Sequence, residues 1–155
     1  MNLPFQITDT SQIIIFIGLQ ASGKTTFYES LLACRGLVHI NLDTLHTRHQ
    51  EAMAIRTCLD SKKSLVIDNT NPQIIDRQRY IPLVRAQGYE VIGIFFQSRV
   101  RDCIERNEQR DCRVPRHAIP CTSSKLQMPT YDEGFDQLYF ARIVDQGFEI
   151  TKWNE

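Results

Sequence analysis

Ile13-Ile14-Ile15-Phe16-Ile17-Gly18-Leu19-Gln20-Ala21-Ser22-Gly23-Lys24-Thr25-Thr26 is the stretch whose reading decides the fold. The apolar run reads as a strand. Gly18 to Thr25 spells G-x-x-x-x-G-K-T, and a helix-compatible stretch follows from about residue 25 to 33. Strand, glycine-bounded loop and helix form the context in which this pattern becomes a phosphate cradle. Backbone N–H groups must turn inward around phosphate oxygens, and glycines allow that turn without a Cβ clash. The helix that opens at the loop adds its unpaired N–H groups and the positive end of its dipole. Lys24 is expected to reach the β- and γ-phosphates of ATP, and the Thr25 hydroxyl to ligate Mg²⁺. Gly18, Leu19, Gln20, Ala21, Ser22, Gly23, Lys24, Thr25 and Thr26 form the expected nucleotide-binding set.

Outward from the cradle, the chain alternates apolar runs with helical patterns. Leu37-Val38-His39-Ile40 reads as a second strand, with Asp43 or Thr44 capping a helix towards Leu59. Residues 64–67 read as a third strand, ending in Asp68-Asn69-Thr70-Asn71-Pro72. Asn71 can cap the next helix with Pro72 at its first position, and Pro82 should kink or interrupt that helix before Gly88. Residues 89–96 are the fourth strand, residues 99–110 an Arg-rich helix, and 111–125 a mobile lid or loop. Residues 135–151 read as a helix and a short strand at the sheet edge. This alternation implies an α/β fold, with a parallel sheet of four to five strands and helices on both faces.

The 155 residues make one domain, 1–155, with its lid at about 99–125. No run is long enough to span a bilayer. Residues 1–12 carry no secretory signature, so a cytoplasmic protein with no membrane partner is expected. The five cysteines are odd in number and lack a C-x-x-C, which fits a reducing compartment. Cys103, Cys112, His117 and Cys121 match none of the usual zinc spacings. Net charge is zero, yet residues 76–125 hold ten bases against six acids. That basic middle suits a polyanion or a nucleotide, and equally a solvated mixed surface.

In open α/β sheets the ligand binds beyond the carboxyl ends of the strands, where the cradle, Asp43 and Asp68 should all converge. Asp43 is the candidate general base for a hydroxyl acceptor, with helix capping as its competing role. Asp68 ends an apolar strand as a Walker-B aspartate does, and can hold Mg²⁺ or bond Thr25. The next residue is Asn69, where motor-type ATPases usually place a water-activating Glu. There is also no guanine-reading N-K-x-D. Both omissions favour a kinase. Arg106, Arg110 and Arg113 lie on the lid, where cations can meet charge on a transferring phosphoryl group. Surface pairing at (i, i+4) competes for these arginines, and Arg110 is the candidate for the transition-state contact.

These residues resemble the kinase module of the polynucleotide 5′-hydroxyl kinases. The carriers are Gly18 to Thr25, Asn41-Leu42-Asp43-Thr44-Leu45, Ile67-Asp68-Asn69-Thr70-Asn71-Pro72 with Arg77, Arg79 and Tyr80, Asn107 with Arg110, and Pro129-Thr130-Tyr131-Asp132-Glu133-Gly134-Phe135. The resemblance implies a three-layer P-loop kinase fold and transfer of the γ-phosphate of ATP to the 5′-hydroxyl of a nucleic-acid strand. By position, Lys24 and Thr25 match the phosphate- and metal-binding residues, Asp43 the general base, and Arg110 the lid arginine. His46, Arg48, Arg77 and Arg106 are the expected acceptor contacts. His46 stands where the phage-type kinase has an arginine, and no D-x-D-x-T phosphatase signature is present. A small-molecule kinase of a nucleoside, sugar or antibiotic hydroxyl remains a rival on the same scaffold. So does a non-catalytic, ATP-dependent nucleic-acid-binding protein.

Overall fold

Strand β1 (Gln12–Ile17) lies at the middle of the sheet and is buried along its whole length. The computed structural model describes residues 2–155. β2 (Val38–Ile40), β3 (Leu65–Ile67), β4 (Glu90–Phe96), β5 (Gln137–Val144) and β6 (Gly147–Lys152) follow, in the order β2-β3-β1-β4-β5-β6. β1 to β5 run parallel, and β6 returns antiparallel to β5. Ile13 faces Leu65 on one side and Val91 on the other. The helices are α1 (Lys24–Phe27), α2 (Leu42–Leu45), α3 (Arg48–Asp60), α4 (Ile74–Arg77), α5 (Ile81–Ala86), α6 (Val100–Glu108) and α7 (Ala118–Lys125). None of them is long and apolar enough to cross a membrane.

Successive side chains of a strand point to opposite faces, so β1 feeds two cores. Ile13, Ile15 and Ile17 pack with Ile55 and Leu59 of α3 and Val84 of α5. Ile14 and Phe16 pack on the other face with Phe27 of α1. Phe27 meets Phe16, Phe96 and Phe148 edge to face, at centroid separations of 5.7, 5.3 and 5.1 Å. That aromatic cluster seats the helix that opens at the cradle. After α1 the winding loosens into a π turn over Tyr28–Leu32 and a 3-10 turn over Ala33–Arg35, in place of one regular helix.

Several boundaries differ from the sequence reading. The sheet has six strands, because the stretch 135–151 forms a hairpin and not a helix plus a strand. Tyr139, Phe140, Ile143, Val144, Phe148 and Ile150 are aromatic or β-branched and suit a pleated surface. The helix expected to run on to Leu59 breaks at His46, which takes φ 67°. Asn41, not Asp43 or Thr44, caps α2, and Thr47 caps α3. Asn71 is buried at φ 43° with its Nδ2 donating to Phe16 O at 2.8 Å, so α4 starts later, after Gln73. The interruption expected from Pro82 is present, with Pro82 in the first turn of α5. Part of the lid is regular: α7 lies within 111–125, and Ile119 joins Cys103 and the cradle residue Leu19 in a small apolar cluster.

Candidate active site

The cradle closes on itself before any ligand is considered. Ala21 and Gly23 both take left-handed backbone, at φ 58° and 99°, which turns neighbouring N–H groups towards one centre. A Cβ on Gly23 would stand 3.0 Å from Ile143 Cδ1 of the β5–β6 hairpin, so this position needs glycine for space as well as for φ. Lys24 is buried, and its ammonium donates to Gly18 O at 3.0 Å, Leu19 O at 2.5 Å and Ser22 Oγ at 3.3 Å. Burial lowers its pKa from 10.5 to about 8, against the opposing pull of Asp68.

Asp68 leaves the end of β3 almost fully buried. Its Oδ2 accepts from Thr25 Oγ1 at 2.9 Å and from Asn41 Nδ2 at 3.3 Å, and meets His39 Nε2 at 2.9 Å. The His39 ring stacks on Tyr28, with centroids 3.9 Å apart and planes 8° from parallel. No protein donor meets Oδ1 among the described residues, and Asp68 lines the crevice. A hydroxyl and a carboxylate in contact are hard oxygen donors of the kind Mg²⁺ takes, so Thr25 and Asp68 fit the expected metal ligands. His39 and Tyr28 were missed by sequence reasoning. His39 lies within an apolar run, and that one interruption was its only signal.

The crevice measures about 970 Å³. Its floor is the cradle and Asp68; one wall carries Asn41, Asp43 and Arg48, and the other carries Arg110, Arg113 and Lys125 of the lid. Asp43 sits in the first turn of α2 beside the cap Asn41, whose Oδ1 accepts the Asp43 N–H at 2.8 Å. The Asp43 carboxylate makes no hydrogen bond to the described residues. Capping is therefore done by Asn41, and the carboxylate is left free at the crevice. Arg110 also lines the crevice, near enough to Lys24 to add to the lowering of its pKa.

The expected acceptor contacts divide. Arg48 reaches the crevice wall, and its Nη1 donates to Glu51 Oε1 at 2.8 Å and Tyr80 OH at 2.9 Å. His46 is exposed at the α2–α3 break and does not line the crevice. Arg106 turns to the cradle, donating from Nε to Ala21 O at 2.8 Å. Arg77 is corrected outright. It is 0% exposed and forms a two-pronged pair with Glu133 at 2.6 and 2.7 Å, while Nη1 donates to Asn71, Pro72 and Gln127 carbonyls. Its donors are spent inside the protein, tying α4 to the segment before β5. Gln20, expected in the nucleotide-binding set, also has a role that the sequence did not reveal: its Nε2 donates to Thr122 Oγ1 at 2.9 Å, joining cradle to α7. A second cleft of about 410 Å³ adjoins the cradle between α6 and the β5–β6 hairpin, lined by Gln97, Arg99, Asp102, Arg142, Ile143 and Val144.

Comparison with known proteins sets this geometry among relatives. An AAA-domain family profile matches residues 13–56, the segment from β1 through the cradle into α3. The bifunctional polynucleotide phosphatase/kinase of Schizosaccharomyces pombe is 31% identical over 97% of this chain. A putative enzyme of the same description from Acanthamoeba polyphaga mimivirus is 30% identical over 82%. The chain spans 38% and 32% of the length of these two relatives. Among solved structures, a gluconokinase from Sinorhizobium meliloti 1021 superposes with a TM-score of 0.64 at 17% identity, covering 89% of this chain and 86% of its own. The Pnkp1/Rnl/Hen1 RNA repair complex contains a chain matching at TM-score 0.62 and 18% identity, covering 81% of this chain and 47% of its own. At these identities the structural matches establish the fold alone.

Proposed function

We propose that this chain, a P-loop kinase related to the polynucleotide kinases, moves the γ-phosphate of ATP to the 5′-hydroxyl of a nucleic-acid strand. The observation that carries this reading is the free Asp43 carboxylate, held at the crevice between the cradle and Arg48. A carboxylate relieved of capping can take the proton of an acceptor hydroxyl. The hydroxyl oxygen then bonds to the γ-phosphorus, the bond from that phosphorus to the β–γ bridging oxygen breaks, and ADP leaves. Lys24 and the cradle N–H groups hold the phosphates, and Arg110 meets charge spread on the transferring group. Thr25 and Asp68 would hold Mg²⁺, which when bound neutralises phosphate charge. The second cleft accommodates the base of the nucleotide, with half-exposed Ile143 and Val144 as its apolar side.

A strand acceptor is supported by the curated relatives and by the cations that flank the acceptor side: Arg48 on one wall, Arg113 and Lys125 on the other. The gluconokinase neighbour keeps the small-molecule reading in play, since one fold serves many acceptors. Salt separates the two. Each strand phosphate neutralised contributes about −0.7 to the slope of log affinity against log salt for a single strand. The acceptor KM of a 5′-hydroxyl oligonucleotide should rise steeply across a salt series, while that of a free nucleoside stays flat. Equal use of nucleoside and oligonucleotide, with no salt dependence, makes the small-molecule reading the right one.

A further inference from the structure

Behind the acceptor wall stands a buried carboxylate that no step above uses. Glu51, in the first turn of α3, is 3% exposed. Its Oε1 accepts from Arg48 Nη1 at 2.8 Å and from Tyr80 OH at 3.1 Å, and its Oε2 accepts from Asn69 Nδ2 at 2.8 Å. Asn69 in turn uses Oδ1 to accept the N–H of Leu42 at 3.0 Å. Leu42 is the residue immediately before Asp43. One carboxylate therefore ties together the helix turn that carries the base, the residue beside Asp68 at the end of β3, and the arginine of the acceptor wall.

Burying a carboxylate costs desolvation, and an apolar group of similar size often serves stability as well or better. What the apolar group cannot do is fix the direction of its neighbours. Arg48 spends only Nη1 on the network; Nε and Nη2 have no protein partner among the described residues, and the side chain lines the crevice. Its guanidinium is thereby held by one nitrogen with the others free to meet an anion. α2 is only four residues long and ends at the left-handed His46, so its own helical bonds hold it weakly. The Asn69–Leu42 bond fixes its start.

We infer that Glu51 is the positioning residue of the acceptor side. It sets Arg48 to receive the first phosphate of the acceptor and, through Asn69, sets the turn that presents Asp43 to the acceptor hydroxyl. This rests on the phosphotransfer reading of the crevice with a phosphate-bearing acceptor. Glu51 touches neither substrate nor reacting atoms.

The test uses Glu51→Gln, which keeps shape but turns one of two acceptor oxygens into a donor. Steady-state kinetics are measured for wild type, Glu51→Gln, Arg48→Ala and the double variant. Glu51→Gln should lower kcat/KM for a 5′-hydroxyl oligonucleotide by roughly 10- to 100-fold, the scale of a small misplacement of reacting groups. KM for ATP should stay within about twofold, because the cradle makes no bond to this network. Part of the Glu51→Gln loss should vanish in the Arg48→Ala background, since both act through one contact. Equal losses on the ATP and oligonucleotide sides, or full additivity with Arg48→Ala, overturn the inference and leave Glu51 a structural residue. Hydrogen exchange at the Leu42 amide gives a reading that needs no acceptor. Glu51→Gln should speed it while β1 amides stay protected, and unchanged exchange overturns the positioning role even if the kinetics move. If wild type fails to phosphorylate any oligonucleotide, the proposed function falls, and the Leu42 exchange result still decides whether Glu51 positions the turn.

Discussion

Lys24 shows how burial sets up a charge for a ligand. Its pKa of about 8 lies well below the ordinary 10.5, because the desolvated ammonium has lost water and gained only carbonyl, hydroxyl and distant carboxylate partners. Nucleotide phosphates favour the charged form, so binding should raise the pKa again. The sign follows: between pH 8 and about 10 the free protein has shed a proton that the complex retains. ATP binding in that window should take up close to one proton and weaken as pH rises. Calorimetry in buffers of different ionisation enthalpy measures the uptake, and Lys24→Met should abolish it. Uptake that is absent in wild type would mean the lysine does not meet phosphate. Arg110 carries a separate expectation. Arg110→Ala should cut kcat by about 10²–10³-fold with little change in ATP affinity, as for a contact made in the transition state. An equal loss from Arg113→Ala would assign the role to that neighbour. The convergence of Lys24, Thr25, Asp43 and Asp68 on one crevice was legible in the sequence because each follows a strand and strand ends converge. The Thr25 contact of Asp68 was among those expected, whereas the His39 contact was not, because His39 reaches Asp68 only across β2 and β3.

At the level of elements, local patterns told strand from helix wherever burial was two-sided. They failed where tertiary contacts overrode periodicity. The β5–β6 hairpin read as part helix because its apolar spacing is loose. What makes it a strand pair is the β4 edge beside it and the space above Gly23 that Ile143 and Phe148 fill. The break between α2 and α3 was equally hidden, since His46 is an ordinary residue in sequence and takes left-handed backbone only because Asn41 and Thr47 cap separate helices. Arg77 is the clearest case. Its resemblance to a substrate-contacting arginine dissolved once Glu133, 56 positions away, proved to pair with it in the interior. Removing one partner of a buried, bidentate pair leaves the other charge stranded, so Arg77→Ala should cost about 3–5 kcal/mol. Chemical denaturation measures that loss. Under conditions where the variant remains folded, its acceptor KM should match wild type, and a selective rise in acceptor KM without loss of stability would restore Arg77 to the acceptor site.

Across the whole molecule, topology does the gathering. β1, β2 and β3 deliver cradle, Asp43 and Asp68 to one crevice, and the chain beyond β4 brings basic residues over it from the opposite side. The segment 99–125 is joined to the cradle through Leu19, the Gln20–Thr122 bond and the Arg106–Ala21 bond. The zero net charge hides this arrangement, which appears only when the surplus of bases over residues 76–125 is placed on the fold. The destination of the γ-phosphate tests the proposed phosphotransfer most directly. Wild type and Asp43→Asn are each incubated with γ-labelled ATP and, in parallel, a 5′-hydroxyl oligonucleotide, a nucleoside, a sugar or no acceptor. Label should appear on the 5′ end of the oligonucleotide with wild type, and Asp43→Asn should lower the rate by about 10²–10⁴-fold while ATP still binds. Label on the nucleoside or sugar in preference to the strand, or transfer that survives Asp43→Asn undiminished, would contradict it.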